Sequence, residues 1–161
     1  MSPSDLDARA LAAVDAAASI PAALGATCRA LIDALGAEAC AISRVVGELL
    51  VQIEEVVQPG RSLIIGQGYV VSDYPLTREA LETREPRPVS VLDPDADEAE
   101  AELLRDLGYA ALLMLPLVVG SEPWALVEVY DARERRFTAE DAAVATRVVE
   151  RAAARLTQLG A

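Results

Sequence analysis

The sequence contains no histidine, lysine or asparagine, so all 14 of its basic residues are arginine. Histidine is the commonest general base and a common metal ligand, and its absence disfavours many hydrolytic and metal-dependent mechanisms. The two cysteines, Cys28 and Cys40, suggest neither a disulfide framework nor a zinc site. Enzyme classes that rely on these groups are therefore disfavoured from the outset.

Positive charge is also scarce. With 26 acidic residues the net charge is −12 and the isoelectric point is near 4.4, so the chain repels phosphate backbones and anionic lipid. The longest apolar run, "YAALLMLPLVV" (109–119), is too short to span a bilayer, and the first twenty residues lack the positive region of a signal peptide. We expect a soluble cytoplasmic protein that binds neither nucleic acid nor membrane.

The length of 161 residues fits one domain. Ser19 and Gly36 bound a predicted helix, and Thr138 with Asp141 forms a capping box before the last one. The first of these helices has an apolar stripe formed by Leu24, Cys28, Leu31 and Leu35.

Strands are predicted at 38–46, 48–57, 88–92, 110–119 and 124–131, with an uncertain one within 61–71. The last two strands are joined by a "GSEP" turn and predict an antiparallel hairpin. The resulting order, α-α-β-β-(β)-α-β-α-β-β-α, predicts an α+β domain.

That order, with the stretch 107–156, resembles the GAF domain family, and the resemblance covers roughly residues 21 to 160. It rests on an apolar strand carrying Leu-Pro, a glycine turn, a "LVEV" strand and "FTAED" opening the last helix. The resemblance implies a central antiparallel sheet of five to six strands, terminal helices on one face, and a pocket on the other face covered by loops and short helices. It divides the chain into an N-terminal helix for linkage or dimerisation (1–20) and a GAF-like domain (21–161).

Alternation on the last strand provides the first candidate site residues. It places Trp124, Leu126, Glu128 and Tyr130 on one face and Ala125, Val127 and Val129 on the other. The small face suits helix packing and the mixed face suits a pocket. A buried Glu128 would need a partner, for which Arg44 is a candidate, and a structural ion pair is the alternative to a ligand contact.

Further candidates come from the segments that cover the pocket in this family. Tyr69, Tyr74 and Tyr109 offer apolar rings with hydroxyl groups, although ordinary packing would also explain them. Asp73 and Arg78 lie at the start of a predicted helix whose free amides could bind an anion, and Arg78 could add positive charge there; the alternative is that Thr77 is simply the N-cap of this helix. We include Met114 among the candidate ligand-binding residues.

The resemblance also suggests ligands and an activity to test. GAF domains that attach bilins use a cysteine next to a histidine, and haem-binding ones use an axial histidine, so we expect neither cofactor. Cyclic-nucleotide-binding members typically carry an Asn-Lys pair, which is absent. The free methionine sulfoxide reductases of this fold use clustered cysteines, whereas Cys28 and Cys40 are expected to be buried structural thiols.

Two charged stretches are better explained by local structure than by a binding site. "DPDADEAE" (93–100) lacks the Gly and Glu that a calcium loop needs at its sixth and twelfth positions, while Asp97 and Glu100 fit a helix N-terminus. No metal site is expected. A helix should follow, with Ala99, Leu103 and Leu107 as its apolar stripe. "RERR" (133–136) is expected to be a solvated loop that offsets nearby acids, with partner docking as the alternative.

The leading hypothesis is a non-enzymatic signalling domain that binds an unidentified small molecule, mediates dimerisation, or does both. Leu6, Leu11, Val144 and Leu159 suggest a homodimer through the terminal helices. A kinase, cyclase or transcription regulator is a possible fused or associated partner. The alternatives are a structural interaction module with a filled pocket and a thiol-dependent enzyme of the methionine sulfoxide reductase type.

Overall fold

The computed structural model describes residues 3–61, 63 and 67–161, with side chains from residue 8 onward. Its helices are α1 (Pro3–Ala16), α2 (Ile20–Leu35), α3 (Pro75–Thr83), α4 (Glu98–Asp106) and α5 (Ala139–Gln158), and a 3-10 turn covers Val71–Asp73. Its strands are β1 (Ala39–Val46), β2 (Leu49–Val56), β3 (Gly68–Val70), β4 (Arg87–Ser90), β5 (Ala111–Val119) and β6 (Glu122–Asp131). None of the described helices is both long and apolar enough to cross a membrane.

The six strands form one sheet in the order β3-β2-β1-β6-β5-β4, and every neighbouring pair is antiparallel. β1 and β6 lie at the centre, with Ala41 opposite Glu128. On β6 the small residues Ala125, Val127 and Val129 face the helix side. The predicted α+β fold with a central antiparallel sheet is confirmed.

The first face of the sheet packs against α2 and α5 and forms the larger core. The predicted stripe of α2 is buried in full, because its spacing places all four side chains on one side of the helix. Ser19 caps α2, Gly36 ends it in the left-handed conformation, and Thr138 with Asp141 forms the predicted capping box of α5. α1 packs on α2 and α5 through the buried Val14.

The second face carries a smaller core covered by α3 and α4. Ala80 and Leu81 of α3 and Leu104 of α4 pack there against Met114 and Leu126 of the sheet. This face holds the cavity described below, so the predicted division of the domain into a helix side and a pocket side is confirmed.

Several local predictions need correction. α3 begins at Pro75, whose fixed φ suits the first helical turn, so Thr77 lies inside the helix and is not its N-cap. On α4, Ala99 is exposed and Glu100 is buried instead. β6 already begins at Glu122, so the turn before it is shorter than "GSEP". The uncertain strand is Gly68–Val70, and residues 62 and 64–66 of that stretch lie outside the described part.

The "RERR" segment is the predicted exposed loop, and its arginines pair with nearby acids, but one of these acids, Asp131, is buried. Arg133 and Arg135 both pair with the buried carboxylate of Asp131, at 2.6 and 3.1 Å. Arg135 also donates to the carbonyl of Leu35 at the end of α2, where an arginine satisfies a free helix carbonyl. Burial alone would raise the pKa of Asp131, but hydrogen bonds from Arg133 and Arg135 hold that pKa below its usual value.

Candidate ligand site

A small cavity lies between the second face of the sheet and helices α3 and α4. Its volume is about 20 Å³, room for roughly one water molecule. Its lining combines apolar, phenolic and carboxylate side chains and consists of Leu50, Tyr69, Tyr74, Thr77, Glu100, Leu103, Leu107, Glu128 and Tyr130. We call this space the inner cavity.

Glu128 comes from the centre of β6 and projects into the inner cavity. Its Oε2 accepts a hydrogen bond of 3.0 Å from the hydroxyl of Tyr130, two residues along the same face of the strand. Burial raises the pKa of Glu128 to about 7, the hydrogen bond from Tyr130 opposes that rise, and the negative charge of Glu100 adds to it. Near neutral pH this carboxyl group is therefore able to change its charge.

Glu100 reaches the same cavity from the first turn of α4 and is only 3% exposed. Its Oε1 accepts hydrogen bonds from the backbone nitrogen and the hydroxyl of Thr77, at 3.1 and 2.7 Å. Burial raises the pKa of Glu100, the two bonds from Thr77 oppose that rise, and the nearby charge of Asp97 adds to it. The Thr77 hydroxyl also lies 3.5 Å from the sulfur of the buried Met114.

Neither carboxylate forms an ion pair with any residue in the described part of the chain. The contact predicted between Arg44 and Glu128 is not formed. The strand register explains this, because Glu128 lies opposite Ala41 whereas Arg44 lies opposite Ala125, three positions along β1. Glu100 is buried and Glu128 is partly buried, and a desolvated carboxylate without a cation is costly.

Tyrosine rings form much of the remaining wall. Tyr69 and Tyr74 meet edge to face, with centroids 6.2 Å apart and planes at 76°. Tyr130 packs on the buried Tyr109, whose other side lies against the guanidinium group of Arg61. Tyr109 thus supports the cavity wall from behind and is not itself a lining residue.

A second, open depression lies next to the inner cavity. It has a volume of about 250 Å³, and it is lined by Asp73, Tyr74, Ala99, Glu102, Leu103 and Asp106. Tyr74 and Leu103 line both spaces, so the two spaces are adjacent. We call this space the outer cleft, and three of its lining side chains are carboxylates.

Three predicted site residues lie elsewhere. Arg44 and Arg78 line a separate open groove of about 570 Å³, where Arg78 pairs with Glu48 at 2.8 Å. Trp124 stacks on Arg44, 4.4 Å from ring centroid to guanidinium carbon, and packs against the helix-side core. A bulge in the pairing of β5 with β6 explains why Trp124 departs from the alternation that holds for Glu128.

The two thiols lie on the helix side of the sheet and line neither the inner cavity nor the outer cleft. Cys28 and Cys40 belong to the helix-side core, and both are fully buried. Burial raises the pKa of the Cys40 thiol, and the neighbouring Cys28 raises it further. The prediction of buried structural thiols is confirmed.

The sequence did not point to Thr77 and Glu100 as cavity residues. Their contact joins positions 23 residues apart and depends on the first turns of α3 and α4 meeting in the fold. One signal was present, since Glu100, Leu104 and Leu107 follow the i, i+4, i+7 spacing of one helix face. An acidic residue within an apolar stripe is a sign of a buried functional carboxylate.

Similarity to known structures is extensive in shape and low in sequence. The chromophore-binding domain of an unusual bacteriophytochrome from R. palustris superposes with a TM-score of 0.83 at 14% identity, over 96% of this chain and 61% of that one. That of the Stigmatella aurantiaca bacteriophytochrome gives 0.81 at 16% identity, over 98% and 60%. A far-red absorbing dark-state protein with bound biliverdin IXa gives 0.82 at 13% identity, over 97% and 99%.

The chain thus spans about three fifths of the two bacteriophytochrome structures. No curated protein sequence matches it. The GAF domain model matches residues 19–156, which is most of the length. The chain belongs to the GAF domain family.

Proposed function

We propose that this chain is a non-enzymatic sensory domain that binds a small molecule at the inner cavity and the outer cleft. The observation that carries the proposal is the pair of carboxylates, Glu100 and Glu128, which face the inner cavity without a cation among the described residues. Convergent polar groups in a largely apolar pocket are typical of ligand sites. Binding would neutralise or hydrogen-bond these groups and stabilise the cover formed by α3 and α4.

A bilin does not fit this site. Biliverdin is bound in one of the similar structures, but here the only thiols lie in the core on the opposite side of the sheet, and the sequence has no histidine. The inner cavity is far smaller than a tetrapyrrole, and its two carboxylates would repel propionate groups. The proposed ligand is therefore of another chemical class.

A thermal-shift screen of metabolites and nucleotides tests the proposal, because a ligand that binds only the folded state raises its stability. Leu103→Trp should fill the space between the inner cavity and the outer cleft and abolish any rise in Tm. Leu92→Trp, on an exposed loop residue outside these two spaces, is the matched control and should retain it. Flat curves for the wild-type chain across the screen would contradict a sensory role.

The small volume of the inner cavity favours a second candidate function. With about 20 Å³ of free space, the domain could serve assembly alone, as a structural module with a filled pocket. In that case Leu103→Trp would change neither ligand response nor assembly. A thiol-dependent reductase is a weaker alternative, because burial of Cys28 and Cys40 keeps both thiols from solvent.

We further propose a homodimer that relays the signal through the terminal helices, with a kinase, cyclase or transcription regulator as a fused or associated partner. Leu11, Val144 and Leu159 are partly buried within the chain, while the side chain of Leu6 lies outside the described part. The division at residue 20 and the cytoplasmic location belong to the same proposal. Sedimentation at micromolar concentration tests the dimer, and a monomer throughout would contradict it.

A further inference from the structure

The charged side chains around the proposed site are all negative among the described residues. Glu100 and Glu128 face the inner cavity, and Asp73, Glu102 and Asp106 line the outer cleft. Among the residues that the structure describes, no arginine lines either space. The net charge of −12 adds a long-range field of the same sign, which attracts cations and repels anions. The ligand should therefore be positively charged.

The available side chains favour an organic cation over a metal ion. Among the residues that the structure describes, no three acidic or cysteine side chains are grouped closely enough to hold a metal. The inner cavity instead places tyrosine rings beside its carboxylates, with Tyr69 and Tyr74 perpendicular to each other. Tyrosine faces attract ammonium groups through their negative quadrupole.

The two volumes restrict the shape of that cation. About 20 Å³ in the inner cavity suits an unsubstituted ammonium group, which is close to water in size. The outer cleft offers about 250 Å³ and further carboxylates. Because Leu103 and Tyr74 line both spaces, the apolar chain of a ligand that occupies both would lie against these two side chains.

We propose that the two spaces together bind an aliphatic diamine or polyamine, with one ammonium group at Glu100 and Glu128 and another at the outer carboxylates. This inference rests on the sensory function proposed above and names its ligand class. The inner ammonium donates hydrogen bonds to both inner carboxylates, which lack a cation in the described chain. The hydrocarbon segment lies against Leu103, and the outer ammonium remains accessible to solvent.

The test uses the full chain at pH 8, at constant ionic strength, with calorimetry and thermal unfolding. The probes are 1,4-diaminobutane, 1-aminobutane, the uncharged 1,4-butanediol and calcium chloride. At a concentration about a hundred times its Kd, the diamine should raise Tm by roughly 5 °C or more. The monoamine should bind more weakly, and the diol should give no shift.

Two variants and a control separate the two ends of the ligand. Glu128→Gln should weaken diamine binding by at least about tenfold, since it removes one charge partner of the inner ammonium. Asp106→Asn should weaken the diamine and leave the monoamine unchanged. Glu134→Gln, an exposed loop position outside both spaces, should leave every affinity unchanged.

Three results would overturn the inference: a diol that binds as well as the diamine, a calcium response equal to the diamine response, or a Glu128→Gln variant with unchanged diamine affinity. If amines fail to bind but another compound from the screen binds in a manner sensitive to Leu103→Trp, the ligand class is wrong and the sensory proposal stands. If nothing binds, both proposals fall.

Discussion

Asp131 and Glu128 lie three residues apart on β6, but their surroundings differ in charge. The side chain of Asp131 is fully buried and is held by Arg133 and Arg135, which lower its pKa. Among the described residues, the Tyr130 hydroxyl is the one hydrogen-bond donor to the Glu128 side chain, and burial raises the pKa of Glu128 to about 7. The arginines that pair with Asp131 also donate to carbonyls at the end of α2, whereas no described residue forms an ion pair with Glu128.

The difference between Asp131 and Glu128 shows how the free-energy cost of burying a carboxylate can indicate a functional site. Both carboxylates lose hydration on folding, but only Asp131 recovers that cost through ion pairs within the described chain. A site that keeps a poorly compensated carboxylate is usually one where a ligand or a proton supplies the compensation. The pair Glu100 and Glu128 therefore marks the pocket, and the cluster around Asp131 marks the scaffold.

The largest expected effect comes from breaking the compensated carboxylate. Asp131→Ala should lower the free energy of unfolding by about 3 kcal/mol, because it removes the buried acceptor shared by two arginines. Since the folded pKa of Asp131 lies below its unfolded value, this loss should be complete near neutral pH and should fade as pH falls through the folded pKa. Urea unfolding of both proteins at pH 7 and below pH 4 measures it. A loss below about 1 kcal/mol at pH 7 would contradict a scaffold role.

Glu128→Gln should raise the free energy of unfolding relative to wild type near neutral pH, whereas Asp131→Ala lowers it. Because the folded pKa is raised to about 7, the wild-type chain is most stable below the unfolded pKa and loses stability as pH rises towards 7. The variant lacks this loss, so its stability relative to wild type should increase by about 1–3 kcal/mol between pH 5 and pH 8. Urea unfolding at both values provides the measurement, with Glu134→Gln as the surface control. A difference that does not depend on pH would show that Glu128 titrates normally.

Substitution of Thr77 tests how the hydrogen bonds from this residue stabilise the carboxylate of Glu100. Thr77→Val removes the hydroxyl that donates to Glu100 at 2.7 Å and should cost about 1–2 kcal/mol at pH 8. Thr77→Ser keeps the donor and serves as the matched control, with a smaller loss from the missing methyl group. Equal losses in the two variants would mean that packing, and not the hydrogen bond, explains the role of Thr77.

The smallest expected effect is on the reactivity of Cys40. This residue lies on β1 opposite Val129, next to Ala41, which pairs with Glu128. Because the thiol is fully buried and its pKa is raised, neither Cys40 nor Cys28 should react with a thiol reagent in the folded protein at pH 8. Both should react fully in denaturant. Rapid labelling of the native chain would instead support the thiol-dependent alternative.

The sequence predicted the fold better than the site. Stripes such as Leu24, Cys28, Leu31 and Leu35, and caps such as Ser19, depend on neighbours within a few residues, and these were confirmed. The alternation on β6 also placed Glu128 and Tyr130 correctly. It was wrong for Trp124, because the bulge with β5 depends on how two strands pair.

Contacts between distant segments could not be predicted. The Thr77–Glu100 hydrogen bonds require the first turns of α3 and α4 to lie next to each other, and the Arg135–Leu35 contact joins positions 100 residues apart. Arginines in a short charged run look the same in sequence whether they are solvated or bind a buried carboxylate. The number and spacing of charged residues therefore could not predict the ion pairs of Asp131 with Arg133 and Arg135, or the hydrogen bonds between Thr77 and Glu100.

The most direct test of the comparison is a pH titration of the Glu128 side-chain carboxyl by carbon NMR, with and without 1,4-diaminobutane. We expect the Glu128 carboxyl to have a pKa near 7 in the free protein and a lower pKa when the amine binds, because a positive charge favours the carboxylate form. A pKa in the ordinary range for glutamate, unchanged by the amine, would contradict the claim that this carboxylate is reserved for a ligand.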